Sequence, residues 1–237
     1  MRILSVDTAT ECASCSVIDD KKLLSEISFN NKKQHSVILM PMIDNMLKTL
    51  NIDLSSIDGY VISKGPGSFT GLRIGMSVIK GLSQGTNKPF ISVSSLDALA
   101  FNMAYTSGLI CPILDALRGH VYTAIYEYKN NKLNRLSGYL IISIEELVSM
   151  LLTYNQNICF IGDATKLHEK YLKDNLESVS FAPVHLNIVK ASSLGELGLE
   201  LLKNGTCDDI NTAAPIYLRK SQAEREYENK LKNNNNE

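Results

Sequence analysis

The sequence predicts a duplicated α/β fold. One observation is a strand-like opening run, ILSVD, that ends in Asp7 and is followed by two more strand-length runs. A second is a later copy, ICPILD, that ends in Asp115 and leads into the same sequence of strand, turn and strand. A third is the stretch Lys64–Gly75, KGPGSFTGLRIG, placed between an apolar strand and a helix-length apolar pattern. Both opening strands are apolar throughout, as central strands covered on two faces are. Repetition of a whole unit argues for a duplicated architecture. The expected units are residues 1–107 and 108–237.

In order, Arg2 to Thr8 reads as a buried strand, Cys12 to Ile18 as a second and Leu23 to Phe29 as a third, with Asp19-Asp20-Lys21 as the turn. Gln34 to Leu50 reads as a helix. Its apolar residues Ile38, Leu39, Met40, Met42, Ile43, Met46, Leu47 and Leu50 spread over about 200° of a helical wheel, twice the ~100° stripe that one sheet covers. The excess predicts a second apolar contact, and three methionines suit an adaptable protein surface. The alternative is a helix enclosed by its own chain. Of the arc, Leu39, Ile43, Met46 and Leu50 are expected to face outward. Pro41 should kink the helix or remove one hydrogen bond.

Tyr60 to Ser63 is the strand before the glycine-rich stretch, and the helix after it ends near Gly85. Gly65 and Gly67 permit positive φ, Pro66 fixes the chain between them, and Ser68 or Thr70 can cap the helix. Two readings stand. A strand, a glycine-rich loop and a helix N-terminus can cradle a phosphate or carboxylate. The same glycines can simply let the helix pack close to the sheet. The spacing matches neither G-x-x-x-x-G-K-[ST] nor G-x-G-x-x-G.

Pro89 to Val93 is the next strand, and Leu96 to Tyr105 a helix with Asp97 in its first turn. In the second unit, Ile110 to Asp115, Val121 to Tyr128 and Leu133 to Tyr139 are strands, with Asn130-Asn131-Lys132 as the turn. Ile144 to Leu152 is a helix, Ile158 to Gly162 a strand, and Asp163 to Leu172 a helix. Ser192 to Lys203 is a helix capped by Ser192 or Ser193 and stopped at Gly205. Ala214 to Leu218 is extended. Lys220 to Lys232 is a charged helix or frayed tail, and the final LKNNNNE is expected to be disordered.

With 237 residues, 44% hydrophobic and 21% charged, the chain is an ordinary globular one with room for a real core. Its formal net charge of −1 argues against binding nucleic acid by itself, which calls for a basic surface. Five cysteines without a disulfide-dense framework fit a reducing cytoplasm. Cys12 and Cys15 form a C-x-x-C. On a strand they lie ~10 Å apart on opposite faces, beyond the ~7 Å limit for a disulfide, and no second such pair completes a zinc site. No apolar run approaches the ~20 residues that span a bilayer, and no signal segment opens the chain.

GPGSFTGLRIG, the opening ILSVDTATE and the helix HSVILMPMIDNML together resemble the TsaB family, also called YeaZ. The resemblance is close over residues 1 to 110 and looser through ISVSSLDALA, PILDALRGHVY and the late API-YLR. It implies the actin-like, Hsp70-like and sugar-kinase (ASKHA, RNase H-like) superfold. It also implies a non-catalytic dimerisation subunit of the machinery that places threonylcarbamoyl on the adenosine beside the anticodon of ANN-reading tRNAs. Such a subunit pairs with the catalytic TsaD through the helix Gln34–Leu50, with Ile38, Leu39, Met42, Ile43, Met46, Leu47 and Leu50 as partner-binding residues. It helps recruit the ATPase TsaE, meets tRNA only through the complex, and can pair with itself when alone. No cofactor is expected, ATP or ADP having a place only at the complex junction.

Nucleotide enzymes of that superfold need a metal-holding carboxylate, a phosphate hairpin and an adenosine loop in the second half. Asp7, Thr8, Gly65, Gly67, Ser68 and Asp115 are candidate anion or nucleotide contacts. Paired aspartates at a cleft can hold Mg²⁺. The plainer reading, that each caps a local turn, is favoured. No adenosine loop of G-G-x-[ST] type appears. TsaD resembles this family in fold and carries H-x-x-x-H on the matching helix; here His35 is followed by Leu39, so no metal pair forms. DALRGHVY retains Asp115, Arg118 and Tyr122, with His120 a departure from the family pattern. An ATP-dependent transferase or kinase is the alternative function. A metallopeptidase is opposed by the missing histidine.

Overall fold

The computed structural model of the protein describes residues 1–31 and 34–219. The first sheet is built from β1 (Arg2–Asp7), β2 (Cys12–Asp19), β3 (Leu23–Asn30), β4 (Gly59–Ser63) and β5 (Phe90–Val93), in the order β3-β2-β1-β4-β5. The hairpins β1–β2 and β2–β3 are antiparallel; β4 and β5 continue the sheet in parallel. Parallel pairing needs crossovers, which α1 (His35–Leu50) and α2 (Phe69–Thr86) supply. After α3 (Ser95–Phe101) the pattern repeats.

The second sheet contains β6 (Leu109–Asp115), β7 (His120–Thr123), β8 (Tyr126–Lys129), β9 (Lys132–Arg135), β10 (Leu140–Ser143), β11 (Ile158–Ile161) and β12 (Val179–Phe181), with α4 (Ile144–Leu151) and α5 (Thr165–Asn175) as crossovers. Its main path, β10-β7-β6-β11-β12, retraces the first sheet with β6 in the place of β1. Asp7 and Asp115 therefore end equivalent central strands.

Several elements differ from expectation. The run Val121 to Tyr128 is broken at Ala124-Ile125. There the Ile125 amide donates to Ser137 Oγ (2.9 Å) and its carbonyl accepts from the Leu136 amide (2.7 Å), so the ladder gives way to the chain beyond β9. The two pieces still flank β6, β7 at its end and β8 at its start. The strand expected to run to Tyr139 stops at Arg135, and β10 follows it. Neither β10 nor β12 was expected; both are edge strands of only four and three residues, too short to carry a readable period. The helix expected to run to Tyr105 ends at Phe101. The charged segment from Lys220 onward, with the LKNNNNE tail, lies outside the described residues.

The last helix, α6 (Ala191–Lys203), belongs to the second stretch of sequence but packs on β1, β2, β4 and β5 and on α3. Gly195 and Gly198 allow this, because a Cβ at either would lie 2.6 Å from Ser5 Oγ or 2.4 Å from a Val61 methyl. Ser192 and Ser193 are not its caps. The Ser192 amide and hydroxyl donate to Glu26 on β3, and the Ser193 hydroxyl donates to Asn102. One core, with α3 and α6, fills the space between the sheets; a second lies under α1 and α2, and a third under α4 and α5. Cys12 and Cys15 are buried free thiols, each pushed up to about 12 chiefly by burial, which leaves them unreactive.

Candidate functional site

The glycine-rich loop lies against the end of β1. The Ser68 amide donates to the Ala9 carbonyl (2.7 Å) and the Thr8 hydroxyl to the Gly71 carbonyl (2.7 Å). Ser68 Oγ caps α2 by accepting from the Gly71 amide (3.2 Å). Here main chain meets main chain. A Cβ at Gly67 would sit 2.2 Å from the Ala9 carbonyl oxygen, and one at Gly71 2.1 Å from that of Thr8. Gly65 adopts φ 90°, a left-handed conformation that favours glycine. The close-packing reading of the loop is thus realised. The amides of Ser68 and Gly71 are both engaged within the chain.

Asp7 is fully enclosed. Its Oδ2 accepts from the Ala9 amide (3.3 Å), and the buried Ser63 hydroxyl is the other polar group that stabilises the carboxylate. Burial pushes the carboxyl up to about 7, with Ser63 and the Ala9 amide opposing the shift. Asp115 is exposed and caps its own turn, accepting from the Leu117 amide (2.7 Å). The acid beside it is Asp163, whose Oδ1 accepts from the Asp115 amide (2.9 Å). Burial first, then the charges of Asp115 and Glu11, raise the Asp163 carboxyl. The sequence reading did not single out Asp163, although its place after Gly162 at the end of β11 marks a strand-end position. Leu117, Arg118 and Gly119 form a turn in which all three residues have left-handed φ (63°, 58° and 76°), and His120 Nδ1 lies 3.0 Å from the Arg118 carbonyl oxygen. Among the described residues no three His, Cys, Asp or Glu side chains come together in a way that could hold a metal ion. His35 Nε2 lies 2.8 Å from the Thr10 carbonyl oxygen, so this ring fastens the start of α1 to the loop after β1.

On α1 the structure reverses the expected orientation. Leu39, Ile43 and Met46 are 1, 2 and 1% exposed. With Met42 and Leu47 they form core beneath the helix, and Ile38 and Leu50 are half-buried against it. They do not face outward because α1 rests on β2, β3 and α2 together, so its own chain covers the wide arc. The helix turns out a narrower strip, Val37 (64% exposed), Met40 (44%) and Pro41, continued by the ion pair Asp44–Lys48 (2.7 Å). Beside it lies a groove of about 440 Å³ whose lining includes Met40, Ile43, Leu47, Ile52, Leu54 and Leu82. No helix among the described residues is long and apolar enough to cross a membrane.

A family profile described as "TsaD: tRNA N6-adenosine threonylcarbamoyltransferase" matches residues 22–227. The chain is 32% identical over 228 residues to the tRNA threonylcarbamoyladenosine biosynthesis protein TsaB of Bacillus subtilis (strain 168), across 96% of this chain and 98% of that one. It is 35% identical over 133 residues to the protein of the same name from Escherichia coli (strain K12), across 55% and 57% of the two chains. YeaZ from Pseudomonas aeruginosa has the same fold, with a TM-score of 0.77 at 21% identity over 92% of this chain and 99% of that one. The ethanolamine utilization protein EutJ from Carboxydothermus hydrogenoformans resembles it more distantly, with a TM-score of 0.52 at 12% identity over 84% and 90%. On a duplicated α/β scaffold of actin-like type, this chain belongs to the TsaB (YeaZ) family of tRNA threonylcarbamoyladenosine biosynthesis proteins.

Proposed function

We propose that the chain serves tRNA threonylcarbamoyladenosine biosynthesis as a non-catalytic subunit. In this reading it binds TsaD through the outer strip of α1, Val37, Met40 and Pro41, and the adjoining groove. The pair recruits TsaE and meets tRNA only as a complex. In the absence of TsaD the same strip pairs with a second copy. The observation that carries the reading is the closure of the strand-end region. Asp7 is sealed from solvent and the glycine-rich loop is packed on Thr8 and Ala9, whereas α1 leaves apolar side chains in water. A catalytic carboxylate needs access to its metal or substrate.

The test is co-purification with the host's TsaD, with and without ATP. Burying a charge in an apolar contact costs several kcal/mol, on the order of a hundredfold in affinity. Val37→Glu and Met40→Glu should lower the affinity by that factor with an unchanged circular dichroism spectrum. Wild-type affinity in both folded variants refutes the α1 interface. ATP turnover or transferase or peptidase activity by the isolated chain refutes the non-catalytic assignment.

A further inference from the structure

After α6 the chain does not leave the molecule. Residues 207–219 return across it without regular secondary structure and touch both halves. The Asp208 amide donates to the Phe90 carbonyl (2.8 Å), and its carboxylate accepts from the Ser92 amide (2.9 Å) and hydroxyl. The Ile216 amide donates to the Lys64 carbonyl (2.7 Å), so the segment lies on the entry to the glycine-rich loop. The Tyr217 ring packs against that of Phe69, tilted by 35° with centroids 4.7 Å apart, and Arg73 sits 4.0 Å from the Phe69 ring while its Nε donates to Tyr217 Oη (3.0 Å). Two residues on, the Arg219 guanidinium reaches the second half and donates to the carbonyls of Ala116 and Leu117.

We propose that residues 207–219 are a latch that holds the glycine-rich loop of the first half to the β6–β7 turn of the second, with Arg219 as its clasp. The turn it grips needs holding. Leu117 and Arg118 both occupy the left-handed region, which residues with side chains keep only where their surroundings enforce it. The Asp115 carboxylate fixes the Leu117 amide, and Arg219 fixes the carbonyls on the other side. The grip joins the two strand-end regions of the duplicated fold, one carrying Asp7 and the other Asp115. Release of the latch frees the loop that covers Thr8 and Ala9 and the turn that follows Asp115 together. The inference does not depend on the α1 interface.

Hydrogen exchange read by mass spectrometry on the full chain tests it, with Arg219→Ala and Tyr217→Ala as variants. A latch couples its ends, because opening is one cooperative event. Each variant should therefore speed exchange about tenfold or more both in peptides covering 64–72 and in peptides covering 116–121, leaving α4 and α5 unchanged. If each variant loosens only the end it touches, the contacts are independent and the latch is refuted. Uniform acceleration that includes α4 and α5 refutes it equally, since the contact then contributes only global stability. Should Arg219→Ala fail to fold, Arg219→Lys, which keeps the charge and loses the fork, carries the same comparison.

Discussion

The Thr8 hydroxyl donates to the Gly71 carbonyl at 2.7 Å, and a side chain at Gly71 would drive its Cβ to 2.1 Å from the Thr8 carbonyl oxygen. The residue after the strand-end aspartate and the first turn of α2 are thus in backbone contact. The glycines of this loop are there to permit it.

Alanine substitutions along one helix should therefore diverge in sign. Gly71→Ala forces main chain apart and should cost roughly 3 kcal/mol or more. Gly81→Ala, at an exposed position of the same helix with nothing within 4 Å of the new methyl, should stabilise by up to about 1 kcal/mol. Urea unfolding of both variants checks this. Equal effects would mean that the loop relaxes away from Thr8.

Asp7 gives a pH dependence with a definite sign. Its carboxyl titrates near 3.8 when free and at about 7 when buried. Between those values the folded chain keeps a proton that the unfolded chain has lost, so Asp7 makes stability fall as pH rises from about 4 to about 7. Asp7→Asn removes the titration. Relative to the natural chain, the variant should gain on the order of a few kcal/mol in going from pH 4 to pH 8. Urea midpoints across that range provide the measurement, and a constant difference between the two proteins contradicts the burial argument.

On α1, inward and outward positions should separate cleanly. Ile43→Ala empties a core site and should cost about 2–5 kcal/mol, and Ile43→Glu should abolish folding. Met40→Ala should stay within about 0.5 kcal/mol of the natural chain, as exposed substitutions do. Thermal unfolding reads all three. A folded Ile43→Glu protein would show that the helix is not seated as described.

Asp97 binds the two halves from within. Its carboxylate accepts from Tyr126 Oη (2.7 Å) and Tyr139 Oη (2.8 Å), joining the start of α3 to the second sheet. Burial first, then the Asp97 charge, holds the Tyr139 hydroxyl up at about 12, so the tyrosine stays a donor throughout the physiological range. Asp97→Ala should cost about 3 kcal/mol by removing two charge-assisted hydrogen bonds and stranding a buried hydroxyl. In the Tyr126→Phe background the loss should shrink; strictly additive losses in this double-mutant cycle would contradict the shared contact.

The sequence by itself determined the elements whose signals are local. The apolar runs of β1 and β6 with their terminal aspartates, the hairpin turn at Asn130-Asn131, the cap at Ser68 and the strand–loop–helix around Gly65 can all be read from periodicity, turn chemistry and capping. Tertiary structure alone decided the rest. All of the broad arc on α1 except Met40 is wholly or partly covered by this chain, and a helical wheel cannot say which neighbours arrive. Asp163 approaches Asp115 because β11 pairs beside β6, a register set between distant segments. Residues 207–219 carry no periodicity at all. Their hydrogen bonds go to backbone and side chains brought near by the two sheets, and α6 returns to the first sheet, where Gly195 and Gly198 meet Ser5 and Val61. Local preferences fix which element a segment forms; burial summed over distant segments fixes what it touches.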